Sequence, residues 1–210
     1  MGAVMVSNCT LRATVHTPSA LAEQLAYTAF TSGSTGRPKG VAISHIGVVS
    51  LLCGIRSQYS ADHGVLLGLS TNYTFDPFGR KLFVCHAMLG GCCTLLSDGL
   101  ALASLSKTAS LTHLGDVPSV MALASTPLAV KHIEVAGEAL TGSVVCNASS
   151  LRTLHNNYGP TEVTVDTTSK HVHSQEACRR LASIGRPTLN TVCLVGQEST
   201  GQSHISNLIC

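Results

Sequence analysis

The stretch Leu25–Gly40, LAYTAFTSGSTGRPKG, constrains the fold of this chain more than any other. It opens on an apolar, β-prone run (Leu25, Ala26, Tyr27, Ala29, Phe30), breaks into glycine and hydroxyl residues, and ends on Lys39 and Gly40. That succession predicts a strand feeding an anion-binding loop. Gly33, Gly36 and Gly40 allow sharp turns and close backbone approach to a ligand. Thr31, Ser32, Ser34 and Thr35 supply hydroxyl donors, and consecutive backbone N–H groups in such a turn form a nest for anions. Arg37 and Lys39 add positive charge, and Pro38 stiffens the exit by fixing its φ angle. The expected ligand is a polyphosphate.

The spacing excludes an ordinary Walker loop, which needs lysine directly after the last glycine of G-x-x-x-x-G-K-[ST]. Here Arg37 and Pro38 stand between Gly36 and Lys39. A plain Gly/Ser linker would share the composition, but not the strand lead-in, the Pro-Lys-Gly and the apolar run that follows.

Charge is scarce. Only 11% of the 210 residues are charged, against about 25% in an average soluble domain, while 44% are hydrophobic and the net charge is +2. The basic residues do not cluster, so no nucleic-acid tract is expected. No apolar run approaches a membrane span, and no secretory signal opens the chain. The nine cysteines (9, 53, 85, 92, 93, 146, 178, 193, 210) form no C-x-x-C pair. They are expected to be reduced and mostly structural, in a cytoplasmic setting. His171 and His173 share one face of an expected strand, a pair with no third metal ligand nearby in sequence.

Strands and helices alternate along the chain. Ser44 is placed to cap a helix over 45–59, with Ile46, Val49 and Cys53 on one face. Residues 65–69 read as a strand buried on both faces. A helix is expected over 79–89, a strand over 92–96, a helix near 101–107, and a strand near 111–114. A short helix after Pro118 and strands over 131–140 and 151–154 follow. This rhythm predicts an α/β fold with a mostly parallel sheet.

TSGSTGRPKG, with Val41 and Ser44-His45 after it, resembles the signature loop of the adenylate-forming superfamily. Its members include acyl-CoA synthetases, luciferases and the adenylation domains of nonribosomal peptide synthetases. FDPFGRKLF (75–83), GEAL (137–140), NNYGPTE (156–162) and IGRP (184–187) narrow the resemblance to the last group. It implies part of the large N-terminal subdomain of such an enzyme over 25–195, with 1–24 and 196–210 unassigned.

The resemblance also implies roles. Thr31, Ser32, Gly33, Ser34, Thr35, Gly36 and Lys39 would hold the phosphates of ATP. Gly137, Glu138, Asn156, Tyr158 and Gly159 would hold its adenine. Thr161 would contact the α-phosphate and Glu162 would ligate Mg²⁺, making these two the catalytic pair. Asp76 would hold a substrate α-ammonium, and Arg80, Glu134, Ala136, Asn157, Val165 and Asp166 would line the side-chain pocket. Independently of any family, a carboxylate at a helix N-terminus is stabilised as an anion and pairs well with an ammonium.

The implied reaction joins an amino acid carboxylate to MgATP, giving an aminoacyl-adenylate and pyrophosphate. In the family the acyl group then passes to phosphopantetheine on a carrier protein. An acyl- or aryl-CoA ligase piece and an inactive nucleotide-binding remnant are the alternatives. The family's ribose-binding aspartate and the lysine of its C-terminal domain have no counterpart here. The chain is therefore expected to be the central part of an adenylation domain, nearly inactive by itself.

Overall fold

The computed structural model describes residues 4–6, 22–32, 36–58, 64–87, 91–148, 152–173, 183–199 and 202–209. In chain order the strands and helices are β1 (Val4–Val6), β2 (Leu25–Thr31), β3 (Lys39–Ser44), α1 (His45–Gln58), β4 (Leu66–Leu69), α2 (Asp76–Ala87), β5 (Cys92–Leu95), β6 (His113–Asp116), α3 (Pro118–Met121), β7 (His132–Val135), α4 (Gly142–Asn147), β8 (Thr153–Tyr158), β9 (Thr168–Val172), β10 (Arg186–Pro187), β11 (Cys193–Ser199) and β12 (Gln202–Ile209). Two 3-10 turns, Gly99–Ser104 and Thr161–Val163, complete the set.

Eight strands form the main sheet in the order β1-β5-β4-β6-β7-β8-β9-β10. The centre, β5 to β8, is parallel. The edges β1, β9 and β10 run antiparallel to their neighbours. A mostly parallel α/β sheet is thus as the alternation of elements predicts. Parallel strands need crossovers, and α2, α3 and α4 supply short ones.

One face of the sheet is apolar. Leu114, Ile133, Val135 and Leu154 pack there with Met121 of α3 and Val144 and Val145 of α4. Leu114 and Leu154 are sealed from solvent, and burying each contributes about 1.5–3 kcal/mol. The face toward α2 changes character along the sheet. Beside β4 and β5 it is apolar, with Leu67, Leu69, Cys85 and Cys93 in contact. Beside β7 and β8 it carries buried Glu134, His155 and Asn157. The site lies on this polar half.

Several elements depart from the sequence reading. The lead-in strand β2 pairs antiparallel with β3, Thr31 opposite Lys39, in a two-stranded sheet separate from the main one. Gly33, Ser34 and Thr35 lie outside the described residues. On α1 the face of Ile46, Val49 and Cys53 is exposed, and Val48, Leu51 and Ile55 face the core. Two apolar stripes on one helix cannot be ranked by periodicity alone. Helix α2 begins at Asp76 rather than Gly79, because an acid and Pro77 both suit a first turn. The expected helix near 101–107 is a 3-10 turn over Gly99–Ser104, capped by Asp98 Oδ1 accepting from the Ala101 N–H at 3.0 Å. β6 starts at His113 rather than Leu111, and Thr112 before it already bonds to β4, its N–H donating to the Leu66 carbonyl and its hydroxyl accepting from the Leu66 N–H, each at 2.9 Å.

Candidate functional site

In parallel α/β sheets ligands bind beyond the carboxyl ends of the strands. Here the ends of β4 to β8 border a cavity of about 920 Å³. Its walls are the 69–72 segment, the first turn of α2, the 95–99 segment, and the loops after β6, β7 and β8.

Asp76 opens α2 and lines this cavity, half-buried. Burial pushes its carboxyl above the ordinary range; a Thr161 hydrogen bond pulls it down, and the like charges of Asp166 and Glu162 push it up. These causes bring the turn after β8 against the N-terminus of α2. Tyr27 of β2 stands beside the same carboxyl, its phenol pushed up to about 12 by burial and by the Asp76 charge.

One turn deeper, Arg80 is 4% exposed and forms ion pairs with two acids. Its Nη1 donates to Glu134 of β7, and its Nε lies 2.5 Å from Asp166 Oδ2. The second contact is an ion pair without hydrogen-bond alignment, and Asp166 Oδ2 has no hydrogen bond among the described residues. Burial, then Asp166, pushes the Glu134 carboxyl up to about 8. The guanidinium opposes this, but one cation cannot neutralise two carboxylates, so the rise stands.

Lys81 is fully buried beneath the cavity. Its Nζ donates to Thr71 Oγ1 at 2.6 Å and to the Gly115 carbonyl. Burial pushes its ammonium down to about 8, against the attraction of Asp116. Asp116 in turn accepts from the Ser70 hydroxyl.

The turn from β8 to β9 is tightly built. Thr164 and Val165 both have positive φ, 65° and 69°, a strained state for a β-branched residue. Val165 is buried and lines the cavity. A Cβ on Gly159 would lie 2.2 Å from the Val165 carbonyl oxygen, so only glycine fits there. Thr167 N–H closes the turn on the Tyr158 carbonyl at 2.8 Å.

The residues singled out from sequence divide into groups. Asp76, Arg80, Glu134, Ala136, Gly137, Glu138, Asn157, Gly159, Val165 and Asp166 all border the cavity. Glu138 also ties down α3, accepting from Ser119 N–H and Oγ at 3.0 Å each. Asn156 points to the other face of β8, where its amide donates to the Ser183 carbonyl at 3.0 Å. Tyr158, Glu162, Ser32, Gly36 and Lys39 are exposed, and Thr31 is partly so. Thr161 reaches Asp76. Sequence reasoning did not single out Tyr27, Ser70, Lys81 or Asp116. The one available signal was Lys81, a second cation directly after Arg80 inside an otherwise apolar helix.

The histidine pair proves part of a longer row. His155 and His171 stack at 5.6 Å, and His171 and His173 meet at 4.6 Å. Burial, with His171 and His132 nearby, pushes His155 down to about 4. No group of three potential ligands among the described residues is arranged to hold a metal. Mg²⁺ takes one or two carboxylates plus phosphate oxygens and water, and the exposed Glu162 carboxylate near Asp76 has the chemistry of such a donor.

A model of the AMP-binding enzyme family matches residues 6–205. The chain belongs to this family. It is 36% identical over 180 residues to the AMB antimetabolite synthetase AmbB of Pseudomonas aeruginosa, covering 81% of this chain and 14% of that protein. It is 31% identical over 189 residues to tyrocidine synthase 3 of Brevibacillus parabrevis, covering 83% of this chain and 3% of that protein. Among solved structures, the adenylation domain AlmE of Vibrio cholerae in complex with glycyl-adenosine-5'-phosphate is similar at TM-score 0.71 and 25% identity, over 80% of this chain and 34% of that one. Holo-PA1221, an NRPS protein containing adenylation and PCP domains, is similar at TM-score 0.74 and 25% identity, over 96% of this chain and 37% of that one. The AMP-binding region therefore spans a small part of these two synthetase relatives and about a third of each of these two solved chains. Among the described residues, no helix is long and apolar enough to cross a membrane.

Proposed function

We propose that this region takes part in ATP-dependent activation of an amino acid, forming an aminoacyl-adenylate and releasing pyrophosphate. The observation that carries the reading is Asp76. It is a half-buried carboxylate at a helix N-terminus, facing a large cavity beside Thr161 and Glu162. An acid at that helix N-terminus suits a substrate α-ammonium, which neither a fatty nor an aryl acid carries.

In this reading the amino acid lies in the cavity with its ammonium on Asp76 and its carboxylate toward Thr161. Attack of the carboxylate oxygen on the α-phosphorus of ATP forms the acyl-phosphate bond and expels pyrophosphate. Catalysis is positioning and charge neutralisation. Thr31, Ser32, Gly33, Ser34, Thr35, Gly36 and Lys39 hold the β- and γ-phosphates from the hairpin side. Gly137, Glu138, Tyr158 and Gly159 frame the adenine, with Asn156 fixing the strand behind them. Mg²⁺, when bound, neutralises phosphate charge, and Glu162 is its protein ligand. Ala136, Asn157 and Val165 shape the pocket around the substrate side chain. The acceptor is phosphopantetheine on a carrier protein, a step supported by the likeness to an NRPS protein with adenylation and PCP domains. The adenylation segment is 25–195, and the free thiols among the described residues support a cytoplasmic setting.

Calorimetric titration of MgATP into the chain tests the reading. Binding that is lost in Lys39→Ala supports it. Absence of binding, or equal binding by Lys39→Ala, overturns it.

A further inference from the structure

At the floor of the cavity two carboxylates share one guanidinium. Arg80 bridges from α2 to Glu134 on β7 and to Asp166 on the β8–β9 turn, and all three side chains are about nine-tenths buried or more. Asp166 Oδ2 keeps unused acceptor capacity among the described residues. The other cation, Lys81, is committed to Thr71 and the Gly115 carbonyl. By contrast, the lining acids Asp76, Asp98, Asp116 and Glu138 are at least partly exposed. Acids outnumber cations along the cavity wall, so the charge it offers a ligand is acidic; Arg80 is ion-paired with Glu134 and Asp166, and Lys81 is turned to neutral oxygens with Asp116 nearby.

We propose that the side-chain end of this pocket accepts an amino acid with a cationic side chain, and that the Arg80–Glu134–Asp166 cluster is the selecting element. This rests on the reading of the cavity as an aminoacyl site. Arg80 Nη2 also lacks a hydrogen bond among the described residues. An anion brought to it, however, would sit against ionised Asp166 as well, a repulsion that offsets the attraction of the guanidinium. A cation there is attracted by Asp166 against the one repulsion of Arg80, and a second attraction follows when Glu134 ionises. The cation also takes over the role of the proton that buried Glu134 retains up to about pH 8. Binding of the cationic side chain therefore releases that proton to solvent.

The test is calorimetry on the full chain with three non-hydrolysable adenylate mimics, the lysyl, norleucyl and 2-aminoadipyl sulfamoyl adenosines. They share a backbone and a similar side-chain length and differ in terminal charge. The lysyl compound should bind about tenfold or more tighter than the norleucyl one, and the 2-aminoadipyl compound weakest. Titrations at pH 7.5 in buffers of different ionisation enthalpy should show proton release for the lysyl compound alone. Glu134→Gln should abolish both the preference and the release; Asp166→Asn, as an independent variant, should weaken the preference. Equal or tighter binding of the norleucyl or 2-aminoadipyl compound overturns the side-chain assignment and leaves the adenylate reading standing. Failure of all three to bind overturns the adenylate reading itself and this inference with it.

Discussion

Arg80→Met removes the guanidinium from the buried cluster while keeping most of the side-chain volume, and leaves Glu134 and Asp166 facing each other without a cation. Breaking a buried ion pair by deleting one partner costs about 3–5 kcal/mol. For a chain of this size that corresponds to a fall in melting temperature of roughly 6–20 °C. The loss must depend on pH. Glu134 has a folded-state value raised to about 8 by burial and by Asp166. It therefore contributes stability that is full below the ordinary carboxyl range and is lost as pH rises through about 8. Without Arg80 the two acids repel more strongly, so the variant should lose more stability at pH 8.5 than at pH 5. The chain has no tryptophan, so the assay is thermal unfolding followed by far-UV circular dichroism at both pH values. Adding Glu134→Gln and Asp166→Asn to Arg80→Met should recover most of the loss, because neutral amides need no counter-charge. An Arg80→Met variant that melts with wild type, or whose loss is the same at both pH values, would refute the account of this cluster.

Gly159→Ala should destabilise the chain by at least about 2 kcal/mol, since the new Cβ would lie 2.2 Å from the Val165 oxygen and 2.7 Å from the Thr167 nitrogen; urea unfolding that matches wild type would contradict this. Lys81 is held down to about 8 by burial, so it favours the unfolded state at neutral pH, and wild-type stability should gain from it as pH rises from about 8 to 10. Lys81→Met should flatten that part of the stability–pH curve, as measured by denaturant midpoints across the range.

Local chemistry was legible in the sequence. Leu25–Thr31 announced a strand through its apolar, β-prone run, and β2 forms there. The alternation of apolar runs announced a parallel sheet and a helix near Gly79, though the structure starts that helix at Asp76. Family membership could be read as well, since NNYGPTE and TSGSTGRPKG are contiguous motifs. What depends on residues distant in the chain emerged only on folding. The partnership of Arg80 with Glu134 and Asp166 spans three elements. The burial of Lys81 and its bond to the Gly115 carbonyl are set by the approach of α2 to β6. Which stripe of α1 faces inward follows from what lies against it, not from its spacing. Asn156 and Asn157 are adjacent and chemically identical, yet strand alternation sends one to the Ser183 carbonyl and the other to the cavity. A sequence states what each side chain can do, and only the pairing of β7 with β8 and the reach of Arg80 from α2 to Glu134 and Asp166 fix which groups meet.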